Sequence, residues 1–432
     1  MNRLNALLLG VLQILTVPAM AHAVDWTMHG AVKNESAYFV SGEKRFDKIQ
    51  NRLDLKPEAV LTDRLEFRGR TLLWYDAATN IEGNNTTGLT PSIKQHYRYA
   101  TQVKEAYLLY GGDDFDFRLG QQQIVWGKTD GLRMLDIINP LDMREFILDD
   151  FLDSRIGLAA ARLNYYAYLG GSEHEFEFVV IPDARVAEIA PIGSRWGFAL
   201  PTIPSGITPA IQAGTKPNWA AKNTEYGAAW RANLDGWDLS LNWFYGWKDT
   251  PNIEKQLSGA TMFLTPVYSR MHTVGGSFSN AFGAWVVRGE VAANLNEGLD
   301  TTGVTAATSI TKQTTLNAAV GVDYTANNWT ISPQVFTRFI SGWEKTILED
   351  RSSGFVSLRV ATDYMNEKLK PEVIALFDWA DAGWMIRPKV SYEFSDQLTG
   401  TVGVDLFGGK QVGFFGQFAD NDRIYTEVAY SF

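Results

Sequence analysis

Cysteine is absent from the 432-residue chain, which excludes a disulfide framework, a thiol nucleophile and a thiolate metal site. After residue 23 no apolar run approaches the roughly 20 residues that a membrane-spanning helix needs. That excludes a helical membrane protein but not a β-barrel. Histidine is scarce. Only His29, His96, His174 and His272 follow residue 23, and none stands in a Ser-His or His-x-x-x-His setting that suggests a triad or a metal centre. His174 falls in an expected turn and reads as a solvated turn residue. No glycine loop for phosphate and no dinucleotide fingerprint links a strand to a helix, and Asp149, Asp150 and Asp153 lack calcium-loop spacing. These gaps argue against an enzyme, a cofactor and a metal. The net charge of -10 argues against nucleic acid as a partner, since phosphate binding needs a clustered basic surface.

Residues 1–23 have the form of a secretory signal: Arg3, then the apolar "ALLLGVLQILTV", then the small-x-small site Ala21-His22-Ala23. An exported chain starting near Val24 is expected. No Ser/Gly/Pro linker or composition change divides residues 24–432, so a single domain is expected there.

The dominant signal is period-two alternation. In "RLEFRGRTLLWYD" one face carries Leu65, Phe67, Leu73 and Tyr75, the other Arg64, Glu66, Arg68 and Arg70. In "WDLSLNWFYGW" one face gathers Trp237, Leu239, Leu241, Trp243, Tyr245 and Trp247, which demands an apolar surround. Strands are predicted over 25–38, 50–62, 65–77, 101–110, 115–125, 156–169, 174–182, 224–235, 237–248, 266–281, 284–297, 314–325, 328–341, 353–366, 369–381, 383–395, 398–409 and 420–432. That makes about eighteen. Short turns such as "TDR", "GGDD" and "DG" follow the even-numbered strands, and long segments follow most odd-numbered ones.

A soluble sandwich or propeller would use the same strands. Here, though, Tyr75, Tyr110, Phe115, Trp329, Phe339, Tyr364, Trp379, Tyr430 and Phe432 recur near strand ends, as in the aromatic girdles of a barrel in lipid. The expected fold is all-β: a transmembrane antiparallel β-barrel in the Gram-negative outer membrane, with outer-membrane lipid as its surround.

The final stretch "DRIYTEVAYSF" must then close the cylinder against the first strand. Its last aromatic, Phe432, resembles the C-terminal signal of Gram-negative outer-membrane barrels, which implies recognition by the barrel assembly machinery.

The face opposite the apolar one places Arg68, Arg70, Arg118, Arg162, Arg231, Arg288, Arg338, Arg359, Arg387 and Lys389 along the pore, together with acids such as Glu175, Glu177, Asp323 and Glu372. Cross-strand pairing into a wet wall is one reading. A path for an anionic solute along an unpaired subset is the other.

In a barrel this wide an inward loop would narrow the passage. Residues 126–155 are expected to do so, bringing Arg133, Asp136, Asp142 and Arg144 near the wall arginines; the other reading is a helix lying over the extracellular mouth. Asn139 as cap, Pro140 in the first turn, and Leu141, Arg144, Glu145, Leu148, Phe151 and Leu152 at helical spacing predict a short amphipathic helix there. The long extracellular loop 183–223 is rich in Ile, Pro, Phe and Trp. It reads either as an ordered cap or as a surface for lipid or a hydrophobic solute.

The run Gly120-Gln121, Trp126-Gly127, Gly131-Leu132, Asp136, Asn139-Pro140 and Asp142 resembles the signature of an outer-membrane family known as a domain of unknown function, and more distantly that of alginate-export barrels. The resemblance implies company with lipid-type exporters, hence an inner-membrane exporter as partner and an exported lipid-like or polysaccharide molecule as cargo. The residues themselves point to a passive channel for an amphipathic organic solute, anionic if the basic wall residues share one height. A general diffusion porin, an outer-membrane hydrolase and a purely structural barrel are the alternatives.

Overall fold

The computed structural model describes residues 24–82, 90–128, 134–199 and 203–432. The expected signal segment and Arg133 lie outside the described residues. Eighteen antiparallel strands form one sheet: β1 (Asp25–Phe39), β2 (Phe46–Thr62), β3 (Leu65–Asp76), β4 (Tyr99–Gly111), β5 (Phe115–Gln122), β6 (Leu158–Leu169), β7 (Ser172–Ile181), β8 (Glu225–Leu234), β9 (Trp237–Trp247), β10 (Arg270–Phe282), β11 (Trp285–Asp300), β12 (Ile310–Ala326), β13 (Trp329–Ser341), β14 (Ser352–Thr362), β15 (Leu369–Asp378), β16 (Gly383–Glu393), β17 (Leu398–Gly408) and β18 (Arg423–Ser431). Each strand pairs with its chain neighbours. β18 closes the cylinder on β1 in the register Ala31↔Ser431 to Phe39↔Arg423, and Phe432 exchanges two backbone hydrogen bonds with Gly30. No edge is left, which is what a sheet in hydrocarbon requires.

Burial is inverted relative to a soluble fold. On β12, Leu316 and Val320 are exposed while Thr315 and Ala319 are buried; on β9, Leu241 and Trp243 are exposed while Ser240 and Asn242 are buried. The exposed apolar side chains face outward, and the polar ones face the lumen. Aromatics cap this band at both rims: Tyr75, Tyr110, Phe115, Trp329, Phe339, Tyr364, Trp379, Tyr430 and Phe432 are all exposed. His174 belongs to this girdle and not to a turn. It lies within β7, stacks on Trp230 and accepts a hydrogen bond from the indole N–H at 3.0 Å.

The rim carrying the long loops is not a fringe of open coil. Residues Asn252–Ser258 and Thr261–Val267 form a hairpin, joined by Thr208–Ile211 into a three-stranded sheet. The predicted strand 266–281 therefore begins later, at Arg270, because residues 266–267 belong to that hairpin. In the loop after β3 an eight-residue helix spans Pro91–Arg98.

The amphipathic helix predicted from Leu141 to Leu152 does not form. Asp142–Met143 instead pairs in parallel with Glu188–Ile189, Phe146 takes a left-handed backbone with φ of 57°, and only one helical turn, Phe151–Ser154, follows. The apolar residues at helical spacing answer to separate partners in the tertiary core. Asn139 caps no helix either: its amide stitches two segments, accepting from Ile124 N–H and donating to the carbonyls of Gln122 and Ile156.

Candidate functional site: a lumen crossed by two loops

Past Gln122 the chain leaves the wall and turns inward. Trp126 is buried, donates its indole N–H to Glu177 of β7 and meets Phe244 of β9 edge-on. Lys128 reaches Ser279 of β10, and its backbone N–H, like that of Leu135, is held by the Glu290 carboxylate of β11. On the opposite wall Asp153 bridges Arg52 of β2 and Arg70 of β3, Glu145 pairs with Lys48 of β2, and Arg387 of β16 donates to Leu148 O at 2.9 Å. A segment touching β2, β3, β7, β9, β10, β11 and β16 lies across the lumen.

Asp142 and Arg144 pair with each other and sit against β3 and β4, where Arg144 stacks 5.0 Å over Trp74 and Asp142 accepts from Gln102 at 2.6 Å. Those donors hold the buried Asp142 carboxyl below the usual range despite burial, which acts the other way. Asp136 is not beside a wall arginine. It is buried with Arg155 of its own segment, 2.7 Å away.

The loop 183–223 packs over the first. Trp196 is fully buried beside Phe39, Phe146, Phe407, Phe415 and Phe418, and Arg195 pairs with Asp47 at 2.6 Å while lying 4.5 Å over Tyr97. Beneath these rings Arg423 of β18 is locked between Asp47 and Asp405. Lys48, Arg52, Asp47, Asp405, Arg195 and Arg423 are the ionic residues that reading by alternation passed over. Arg52 shares the inward parity of Asp54, so alternation along β2 carried that signal. Arg195 carried none, because a loop has no fixed period.

Of the ten basic wall residues, nine have a carboxylate partner: Arg68 with Glu66, Arg70 with Asp54, Arg162 with Glu177, Arg231 with Glu175 and Glu177, Arg288 with Asp323, Arg338 with Glu297 and Glu349, Arg359 and Lys389 both with Glu372, and Arg387 with Asp405. Two places depart from one-to-one pairing. Arg118 has no carboxylate partner among the described residues and faces Arg162 directly across the ladder, an arrangement of like charge that is unfavourable by itself. Arg359 and Lys389 share one carboxylate, Glu372, at a cavity of about 320 Å³ whose lining also holds Lys370, Asp363 and Glu367.

Strand bounds give the heights. Arg68, Arg118, Arg231, Arg288, Arg359 and Lys389 all stand three or four residues from the short-turn ends of their strands, and Glu175, Asp323 and Glu372 interleave with them. Glu58, directly across the ladder from Arg68, and Glu427 stand at the same level, so the level is of mixed and nearly balanced sign, not a ring of one charge. Among the described residues no group of three His, Asp or Glu is placed to hold a metal.

Over residues 20–432 the chain matches the family described as "Protein of unknown function (DUF1302)", and it belongs to that family. No curated protein matches it. Among solved structures, Pseudomonas aeruginosa OccK2 (OpdF) in complex with glucuronate aligns with a TM-score of 0.55 at 10% identity, covering 94% of this chain and 98% of that one. Pseudomonas aeruginosa OpdK with vanillate gives 0.54 at 9% identity, covering 94% and 98%. Acinetobacter baumannii OccAB3 gives 0.53 at 10% identity, covering 94% and 99%. The likeness is one of fold, that of the outer-membrane channel barrels.

Proposed function

We propose that this DUF1302 barrel is a passive channel of the Gram-negative outer membrane for a small amphipathic organic anion. An eighteen-strand barrel is wide enough for an aqueous passage, and residues 123–128 and 134–157 turn it into a narrow one. The observation that carries the reading is local and lies near the short-turn rim, where Arg118 has no carboxylate partner among the described residues and Arg359 and Lys389 share one. Exposed cations sharing a carboxylate keep donors free for a passing anion, whereas a buried pair does not. Glucuronate and vanillate, bound to two proteins of similar fold, are both carboxylates and favour the same solute class.

Current through single channels in planar bilayers tests this. Vanillate should reduce the current saturably from the short-turn side, and an anion such as chloride should carry modestly more of it than potassium. A current that rises linearly with every small ion and ignores vanillate would make the protein a general diffusion porin.

A further inference from the structure

The wall is not uniformly built. β4 pairs with β3 along its whole length, from Tyr75↔Tyr99 to Leu65↔Tyr110. On its other side it pairs with β5 only from Ala106↔Gln121 to Gly111↔Asp116. Residues 99–105 of β4 therefore have a strand on one side only. The cause lies in β5, which is eight residues long, short of the nine to eleven or so that a tilted strand needs to span the hydrocarbon. Gly120 bends it: φ is +132°, and a Cβ there would lie 2.4 Å from Ala106 O. Two residues later the chain departs into the lumen.

Residues 153–157 fill the place β5 leaves. They do not join the ladder. The carbonyls of Asp153 and Arg155 accept from the buried Lys104 ammonium, that of Arg155 also from the Gln123 amide, that of Ile156 from Asn139, and that of Gly157 from Gln121, whose amide also reaches Val103 O. Along the rest of β4 the wall is held by strand pairing on both sides; here it is held by side chains. Gly120, Gln121 and Asn139 of the sequence motif all meet at this seam. Outside it, Tyr99 and Val103 present exposed apolar surface. Inside, Gln102 lines a small polar cavity with Arg52, Trp74 and Arg144.

We infer that this seam, between the long-loop half of β4 and residues 153–157, is a lateral portal through which an amphiphile with an anionic, oxygen-rich head and a single alkyl chain passes between the lumen and the outer leaflet. The inference rests on the channel reading above and adds the route and the class of solute. Strand pairing cannot open in hydrocarbon without orphaning backbone groups, each at a cost of several kcal/mol. A seam closed by side chains can open if a substitute acceptor takes over their donors. The Lys104 ammonium and the amides of Gln121, Gln123 and Asn139 are all donors now engaged with carbonyl oxygens. A sulfonate or carboxylate head can occupy them while its chain lies against Val103 and Tyr99.

The cysteine-free chain allows a direct test in vesicles, with dodecanesulfonate below its micellar concentration as the amphiphile and vanillate as a tailless control. Val103→Cys and Ile156→Cys, joined by a short bifunctional thiosulfonate, tether the seam. Trp243→Cys with Val274→Cys, neighbours across an existing ladder and both facing outward, is the control tether. Dodecanesulfonate release should fall to the rate of protein-free vesicles with the seam tether, recover on reduction, and be unaffected by the control tether, while vanillate flux stays constant throughout. Gln121→Leu, which removes the donor shared by Val103 and Gly157, should speed dodecanesulfonate release. Unchanged release in the tethered protein, or no release from the untethered one, overturns the portal. If vanillate also fails to pass the untethered protein, the channel reading falls with it; if vanillate passes, that reading stands alone.

Discussion

Arg423 and Arg359 both face the lumen near a strand end and both pair with carboxylates, yet their surroundings differ. Arg423 is 1% exposed, roofed by Trp196 and held by Asp47 and Asp405. The Arg359 side chain is 42% exposed and shares Glu372 with Lys389. The first belongs to the long-loop half of the barrel, where ion pairs are enclosed by aromatic rings and fix two loops across the lumen. The second belongs to the short-turn half, where the pairs are wet. Buried pairs are costly to break because the surviving partner stays desolvated, whereas exposed ones contribute little to stability. One half of the lumen is therefore a structural plug, and the other is where a solute meets ion pairs that water already reaches.

The sharpest break of that contrast is to remove the plug. Deleting residues 130–150 should raise single-channel conductance several-fold and abolish saturable block by vanillate. An unchanged conductance would mean that the narrowest point lies elsewhere. Next in size, Arg423→Met leaves Asp47 and Asp405 buried without their shared cation. Urea unfolding in detergent micelles should show a loss of about 3–5 kcal/mol, against less than about 1 kcal/mol for Arg359→Met. Equal losses would erase the distinction between the halves. Arg359→Gln combined with Lys389→Gln should instead act on binding, raising the half-blocking vanillate concentration about three- to tenfold, which corresponds to roughly 1 kcal/mol of lost ion pairing.

At the seam between β1 and β18, Phe432→Asp exchanges an outward-facing aromatic at the rim for a charge. The heat-modifiable fraction recovered from membranes should fall, because the ring packs on Gly30 and anchors the closing strand at the interface. Wild-type recovery would show that the backbone bonds to Gly30 suffice.

The smallest effect concerns pH in the plug. Burial pushes the Glu145 carboxyl up to about 7, a rise opposed by Lys48 and aided by Asp149, Asp47 and Glu35. A carboxyl raised in the folded state favours the protonated form. Its stabilisation is complete below the ordinary carboxylate value near 4.5 and is lost as pH rises through 7. Amide exchange in residues 140–150, corrected for its intrinsic pH dependence, should therefore quicken between about pH 5 and 7 and level off above that, and Glu145→Gln should remove the change. A flat profile in the native protein would place Glu145 in a fully compensated pair.

Much of the barrel was legible in sequence because its physics is local and periodic. A strand with lipid on one side and water on the other must alternate at every second residue. Each of the eighteen predicted spans therefore overlaps an observed strand, and Tyr75 or Trp329 could be assigned outward from spacing alone. The helix expected from Leu141 to Leu152 shows where that reasoning stops. Apolar residues at helical spacing arise equally when Phe146 and Leu148 serve one aromatic cluster and Arg144 serves Trp74 on the wall. Only the assembled core distinguishes the two.

Ion pairing was likewise beyond the sequence, because a partner is chosen by register and height. Arg288 meets Asp323 and Arg359 meets Glu372 through neighbouring strands, whereas Asp153 reaches Arg70 from a loop 83 residues away in the chain. Alternation determined by itself that the chain makes a closed barrel in lipid, and which faces look out and in, since solvent contrast acts on each residue separately. Where the wall is held by side chains instead of strands, and which charges remain free in the lumen, depend on contacts between distant residues, and only the tertiary structure decided them.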